Sequence, residues 1–323
     1  MKAVVLHEPG GPERLVYEDA PDPVAGPGQV LVQVQAAGIN FSDTMSRRGS
    51  GQAAADAYPA ILGSEAVGPV VAVGAGVTGF AVGEVVASQG PRGCYAELAA
   101  LPVGHLVKVP AGMDPQRAIP ALLQARTAYA MSHGAYHVQP GDRVLVHAAA
   151  GGVGQLLVQM AKLLGGEVIA TVSSEAKAAV ARAAGADHVI NYATQDFAAE
   201  VMRITGGAGV KAIYDAVGKA TFQQDLACLG NRGVVVLYGA ASGPIGAVDL
   251  TPLNRMGGYV THTAARHFAT TDAEYLRQSN LMMEWVHTGR LRVDFTTYPL
   301  SQTADAHRDL EGRKTTGKLV LLP

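Results

Sequence analysis

One short run constrains this chain more than any other. Val144-Leu145-Val146-His147 leads into Ala148-Ala149-Ala150-Gly151-Gly152-Val153-Gly154, followed at once by the apolar-periodic Leu156, Leu157, Met160, Ala161 and Leu164. This reads as a buried strand passing through a tight glycine turn into a helix, the arrangement that seats a dinucleotide pyrophosphate on a helix N-terminus. In the G-x-G-x-x-G pattern Ala149 takes the first position, and Gly151 and Gly154 take the others. Gly151 lets the backbone approach a diphosphate, and Gly154 lets the helix pack closely on the strand. A glycine pattern alone is weak, so its surroundings must carry the reading.

With 323 residues, two domains are the default expectation. A hydrophobic fraction of 48% with only 16% charged residues suits a densely packed α/β protein and excludes a disordered or fibrous one. A formal charge of −2 and no basic run longer than Arg47-Arg48 argue against nucleic acid as a partner. Cys94 and Cys228 fall in different expected domains, which argues against a disulfide or a structural zinc site. The start, Met1-Lys2-Ala3-Val4-Val5-Leu6-His7-Glu8, turns polar early for a signal peptide. No apolar run approaches the roughly 18 to 20 residues of a membrane span, so a cytoplasmic location and no membrane partner are expected.

Up to about Leu122 the chain shows short β-like runs broken by Gly and Pro: Ala3 to His7, Gln29 to Ala36, Gly68 to Val73, Glu84 to Ala87, Tyr95 to Ala99 and Leu106 to Val109. Such spacing predicts a small barrel or sandwich. Gly49 to Ala57 reads as a loop. Strands are then expected at Arg143 to His147, Glu167 to Val172, His188 to Ile190, Val210 to Tyr214 and Gly233 to Leu237. Helices near Gln155 to Leu164, Glu175 to Ala184, Asp196 to Ile204 and Ala220 to Leu229 separate them. This alternation implies βαβ units and a parallel sheet with both faces covered. A last strand from Tyr259, an amphipathic helix Ala273 to His287 carrying Met282, Met283 and Trp285 as core, and a closing strand Lys318 to Leu322 follow.

Several ordered stretches resemble the medium-chain dehydrogenase/reductase family, in its zinc-independent quinone oxidoreductase branch, the group that includes zeta-crystallin. They are Ala37-Gly38-Ile39-Asn40-Phe41-Ser42-Asp43, Leu62-Gly63-Ser64-Glu65-Ala66-Val67-Gly68, His147 to Gly154, Val189-Ile190-Asn191-Tyr192, Tyr214-Asp215-Ala216-Val217-Gly218 and Thr316-Gly317-Lys318. The resemblance spans nearly the whole chain. It implies a GroES-like β-rich substrate domain over 1–122 and 264–323, and a Rossmann doubly wound parallel-sheet domain over 123–263, with the cofactor in the cleft between them.

Cofactor choice follows from the second strand. An NAD-preferring Rossmann domain carries an acidic residue about 20 positions after the glycines, on the ribose 2′-hydroxyl. Here that strand ends Ala170-Thr171-Val172-Ser173-Ser174, and Glu175 begins a helix. Ser173, Ser174 and Lys177 are placed to meet a 2′-phosphate. The resemblance adds Tyr192 and Arg313 as phosphate contacts, against the plainer reading of Lys177 as a solvated helix lysine and Tyr192 as a packed core residue. With these positions filled, NADPH is the expected cofactor, held also by Ala149, Gly151, Gly152, Val153, Gly154, Val217, Tyr238 and Gly239.

At the reacting centre, zinc-dependent relatives place a cysteine where this chain has Asn40, and Asn40 is a poor zinc ligand. No metal is expected. Without a Lewis acid, hydride donation to an electron-poor acceptor is the better reading than alcohol oxidation. Asn40 is the expected donor, to the acceptor carbonyl or to the cofactor ribose. Thr127 resembles the family's threonine beside the nicotinamide. Asp43 either orients the site or starts a helix. Glu65 is expected in a structural polar contact and His147 as a packed, hydrogen-bonded histidine. Tyr58 is a candidate acid, and His262 either caps its strand or touches substrate.

The expectation is a metal-free NADPH-dependent reductase of a small apolar quinone or α,β-unsaturated carbonyl. An enoyl-thioester reductase is the runner-up, and an NADPH-binding sensor, structural or RNA-binding accessory protein the alternative from another class. A homodimer is expected, through an apolar edge strand near Tyr259 to Thr263, with a tetramer the next candidate.

Overall fold

A computed structural model describes residues 1–50, 57–90 and 92–323. Most of the loop read between Gly49 and Ala57 therefore lies outside the described residues. The chain forms two units, Met1–Leu123 with Thr271–Pro323, and Gln124–Thr270.

The second unit is built on a six-stranded sheet whose strands, numbered within this unit, are β1 (Arg143–Val146), β2 (Glu167–Val172), β3 (His188–Asn191), β4 (Val210–Asp215), β5 (Leu229–Leu237) and β6 (Tyr259–His262). Their spatial order is β3-β2-β1-β4-β5-β6 and every pairing is parallel. This is the doubly wound dinucleotide-binding order, in which ligands sit beyond the carboxyl ends of the strands where the order reverses, here between β1 and β4. The central strands are apolar and buried almost throughout, as a sheet covered on both faces requires. Leu145, Ile169, Ile190, Ile213 and Val235 share one core.

The first unit is β-rich. Lys2–Leu6, Leu15–Asp19 and Ala60–Ile61 form a small antiparallel sheet. A longer sheet runs Phe295–Pro299, Lys318–Leu322, Ala36–Ile39, Glu65–Val73, Gln29–Gln33, Leu98–Pro102, with Val85–Gln89 and Leu106–Lys108 attached through Glu65–Val73. The closing strand Lys318–Leu322 lies antiparallel to Ala36–Ile39, with Leu319 opposite Ile39 and Leu321 opposite Ala37. The last strand therefore packs with the first part of the chain, as its apolar sequence allowed but did not specify.

Local differences from the sequence reading have identifiable causes. Ala36–Ile39 was not expected as a strand of its own, because all four residues are buried and no alternation marks it. The strand expected at Tyr95 to Ala99 begins instead at Leu98, since the Tyr95 ring is drawn into the core. Met282 and Met283 are buried, but Trp285 is only half-buried, with the Arg290 guanidinium 4.2 Å from its ring centroid. A cation held over an indole face explains a tryptophan left at the core's edge.

The glycine turn is the tightest part of the second unit. A Cβ on Gly154 would lie 2.3 Å from the Ala148 carbonyl oxygen and 2.8 Å from the Ala149 Cα. Both are backbone atoms and cannot swing aside. Gly154→Ala is expected to destabilise the protein by about 1–3 kcal/mol and to weaken NADPH binding; denaturant unfolding and cofactor titration check this, and an unchanged midpoint would contradict the close packing.

Candidate active site

The two units each bring together a set of the sequence-predicted residues. In the second, the helix Gly152–Leu163 starts from an N-cap, Gly151, with no capping side chain. The first-turn N–H groups of Gly152, Val153 and Gly154 have no intrahelical acceptor and lie at the positive end of the helix dipole. Ala148 is held at a φ of 50°, unusual for a residue with a side chain, and such strain clusters where backbone shape serves a ligand. Ala149 N–H donates to the Thr171 carbonyl at 3.2 Å, tying the turn to β2. Gln124, whose amide lies against Gly152, keeps its Oε1 buried with no partner among the described residues. An uncapped helix start beside an unsatisfied buried amide oxygen fits a bound dinucleotide.

Beyond β2, Ser173 and Ser174 are half-buried, and Ser174 caps the next helix by accepting from the Lys177 N–H at 3.3 Å. Glu175, the only carboxylate near this tip in sequence, pairs with Arg182 at 2.5 Å on the helix surface. Tyr192 follows β3, donates its N–H to the Val172 carbonyl at 3.0 Å, and is 42% exposed. Its side chain is therefore not the core residue of the plainer reading. Ser173, Ser174, Lys177 and Tyr192 lie at the carboxyl ends of two neighbouring strands. Val217 is set by Asp215, whose Oδ1 accepts from the Val217 N–H at 2.6 Å. Tyr238 N–H donates to the Asp215 carbonyl at 2.9 Å, and Gly239 follows it. The structure thus adds the buried Asp215 side chain as the group that shapes the turn after β4.

His147 is buried with both ring nitrogens engaged, Nε2 with Asp225 Oδ1 at 2.7 Å and Nδ1 with Thr171 Oγ1 at 2.8 Å. Burial alone would lower its pKa, and the Asp225 carboxylate more than offsets this, so the imidazole is raised. Thr127 is half-buried on the helix Leu123–Tyr129. His262 is exposed at the end of β6.

The first unit holds Asn40 and Asp43 in a buried polar network. Asn40 is the N-cap of the helix Phe41–Arg47, yet its side chain makes no capping hydrogen bond. Its Nδ2 donates to Glu65 Oε2 at 2.7 Å, and its Oδ1 accepts from the Lys318 ammonium at 2.7 Å. Lys318 and Glu65, both fully buried, form a very short ion pair with each other. Glu65 Oε1 also accepts from the Leu123 N–H at 3.0 Å. Sheet register explains the meeting. Lys318 precedes the Leu319–Ile39 pair and so falls beside Asn40. Glu65 precedes the Ala66–Ala37 pair and so falls beside Gly38. A Cβ on Gly38 would lie 2.6 Å from Glu65 Oε2 and 2.8 Å from Lys318 Cε, so the bare glycine makes room for the pair.

Asp43 does start the helix, as one of its two readings had it: its Oδ2 accepts from the Asn40 backbone N–H at 2.8 Å. The same oxygen accepts from the Tyr95 hydroxyl at 2.8 Å. Tyr95 in turn contacts His307 Nε2 at 3.4 Å, and His307 Nδ1 faces Arg47 Nη1 at 3.0 Å. Arginine only donates, so Nδ1 must accept and Nε2 carries the proton. Every donor in this chain points toward Asp43. Burial pushes the His307 imidazole down to about 3, with Arg47 adding to it, and keeps the ring neutral. Burial also pushes the Asp43 carboxyl up to about 6, against the Asn40 and Tyr95 hydrogen bonds that favour its ionised form. Asp43 borders a pocket of about 180 Å³ with Ser46, Leu62, Gly63, Ser64, Gly90 and Arg92. Arg313 is in the first unit, exposed after the helix Thr303–Glu311, with a φ of 56°.

Sequence reasoning missed Lys318, Tyr95, His307 and Arg47. A buried lysine or arginine has no local signature; Lys318 stood out only as the end of the Thr316-Gly317-Lys318 stretch and the start of an apolar run, neither of which gives it a partner.

Residues 26–111 match the alcohol dehydrogenase GroES-like domain, and residues 152–278 match the family described as zinc-binding dehydrogenase. A 2-haloacrylate reductase from a Burkholderia species is 42% identical over 99% of this chain and 98% of its own length. A quinone oxidoreductase of Pseudomonas aeruginosa is 40% identical over 97% of each. The solved structure of Escherichia coli quinone oxidoreductase with NADPH superposes with a TM-score of 0.94, at 35% identity over the whole of both chains.

The raised Asp43 pKa makes a signed prediction. The folded state holds the Asp43 proton between about pH 4 and 6, where the unfolded chain has released it, so this group's contribution to stability falls as pH rises through that window. His307 works oppositely, since its depressed pKa makes stability rise with pH between about 3 and 6.5. The two are separated by Asp43→Asn, which is expected to gain stability relative to wild type on going from pH 4.5 to 7, by about 2 kcal/mol. Urea unfolding at the two pH values checks this; an identical difference at both would refute the assignment.

Proposed function

The chain belongs to the medium-chain dehydrogenase/reductase family, in its quinone oxidoreductase branch, and from that premise we propose that it is an NADPH-dependent reductase passing a hydride to a quinone or an α,β-unsaturated carbonyl without a metal ion. The observation that carries the reading is the Asn40 amide, locked by Glu65 and Lys318. An ammonium 2.7 Å from Asn40 Oδ1 occupies the side of the amide a metal ion would need and repels a second cation. Asn40 is left as a neutral hydrogen-bond donor. A relative named for 2-haloacrylate, a polarised alkene, and others named for quinones share the need for such a donor.

The residues then divide the work. First-turn N–H groups of Gly152, Val153 and Gly154 hold the pyrophosphate, with Ala149 and Gly151 keeping the turn open. Ser173, Ser174, Lys177, Tyr192 and Arg313 meet the 2′-phosphate, with Glu175, the carboxylate nearest this tip in sequence, paired to Arg182. Val217, Tyr238 and Gly239 border the rest of the dinucleotide, and Thr127 lies beside the nicotinamide. NADPH, when bound, supplies the hydride. Asn40 donates an N–H to the acceptor oxygen as negative charge develops there. Asp43 fixes the Asn40 backbone, and solvent delivers the final proton.

The edge strand β6, with Tyr259 51% and Val260 36% exposed, is the surface that pairs with a second copy in a homodimer; sedimentation giving a monomer mass would remove that pairing. No helix among the described residues is long and apolar enough to cross a membrane, and two buried cysteines not joined in a disulfide suit a reducing compartment such as the cytoplasm.

NADPH oxidation with a panel of 1,4-quinones and 2-alkenals tests the activity, and tight NADPH binding without turnover on any acceptor would overturn it. Lys177→Ala is expected to weaken NADPH binding by about tenfold or more while leaving NADH unaffected, the loss of one charge-assisted hydrogen bond. Equal losses for both cofactors would withdraw Lys177 from the phosphate site.

A further inference from the structure

We propose that Lys318 is a positioning residue for the reduction: with Glu65 it sets which end of the Asn40 amide is free to face the acceptor and strengthens the remaining N–H as a donor. The proposal rests on the role given to Asn40 above. Nothing in the sequence motifs assigns Lys318 a part in the chemistry, and its place in a core strand conceals it.

An asparagine amide has two faces of similar shape and opposite polarity, and only one presents an N–H. In this site the choice is forced. Glu65 accepts from Nδ2, and the Lys318 ammonium donates to Oδ1. Turning the amide over would set the NH₂ against an ammonium and the oxygen against a carboxylate, replacing two charge-assisted hydrogen bonds with two repulsions. Nδ2 carries a second hydrogen that has no acceptor among the described residues.

A bound cation also acts through the amide. Withdrawing electron density at Oδ1 makes the N–H groups more positive, the cooperative strengthening expected along a hydrogen-bond chain in a dry site. Asn40 is 6% exposed and Lys318 and Glu65 are fully buried, so little water screens the effect. Simple neutralisation of Glu65 does not account for the arrangement. Lys318 could neutralise the carboxylate from any side, yet it is placed so that its ammonium reaches both Glu65 and Asn40 Oδ1. The room for that placement comes from Gly38, where any side chain would strike both members of the pair.

Lys318→Met alone leaves Glu65 buried and unpaired and can fail for structural reasons, so the test uses Glu65→Gln/Lys318→Met, which removes both charges with little change of volume. It is compared with Asn40→Ala and with the triple variant, each checked for a cooperative melt. The measurements are kcat and KM for a 1,4-quinone, and the NADPH dissociation constant from nicotinamide fluorescence without acceptor. The double variant is expected to lose kcat by about tenfold or more while NADPH binding stays within about twofold. Asn40→Ala is expected to lose at least as much, and the triple variant no more than Asn40→Ala, because the pair acts through that amide. Wild-type kcat in the double variant, or losses that multiply in the triple, would overturn the proposal while leaving Asn40 its role. Wild-type kcat in Asn40→Ala would instead remove the reading of Asn40 itself, and this proposal with it.

Discussion

Glu65 is a carboxylate with no exposure to solvent, and the first unit is arranged around satisfying it. An unpaired charge in that position would cost several kcal/mol, and removing one partner of a buried pair typically costs about 3–5 kcal/mol. Its partner is Lys318, 253 residues away in sequence. The pairing requires the closing strand to lie beside Ala36–Ile39 in one register, since a shift of one residue turns every side chain to the opposite face. The requirement that fills the site thus also fixes how the end of the chain joins its beginning.

A second line of buried polar groups, Arg47, His307, Tyr95 and Asp43, runs into the same helix start. Its direction is set by chemistry at one end, because a guanidinium can only donate. The chain cannot carry protons through Arg47 and instead orients Asp43, which in turn holds the Asn40 backbone. Asn40 is therefore fixed twice, by its N–H through Asp43 and by its amide through Glu65 and Lys318. Such rigidity suits the donor role proposed for Asn40, since no reorganisation is needed as charge develops.

Much of the second unit was legible in the residues. Buried apolar runs separated by helical periodicity mark β1 to β5, and β2 matches its expected span of Glu167 to Val172. Local signals sufficed because parallel strands covered on both faces need continuous apolar sequence. The first unit was read less well. Ala36–Ile39 has no alternation, Tyr95 leaves the strand expected for it, and Trp285 sits under Arg290 where its helix face suggested core. For the first two a neighbour distant in sequence decides the outcome, and for Trp285 it is Arg290, five residues on.

What the sequence by itself determined is the glycine turn from Ala149 to Gly154 and the strand tip at Ser173 and Ser174 that ends without a carboxylate. These depend on residue type and short spacing, which the chain displays directly. Only the tertiary structure decided which way the Asn40 amide faces, because that rests on Glu65 and Lys318 meeting across three strands. Hydrogen bonds and ion pairs between distant residues are set by strand register and by the absence of a side chain at Gly38, and no local pattern records either.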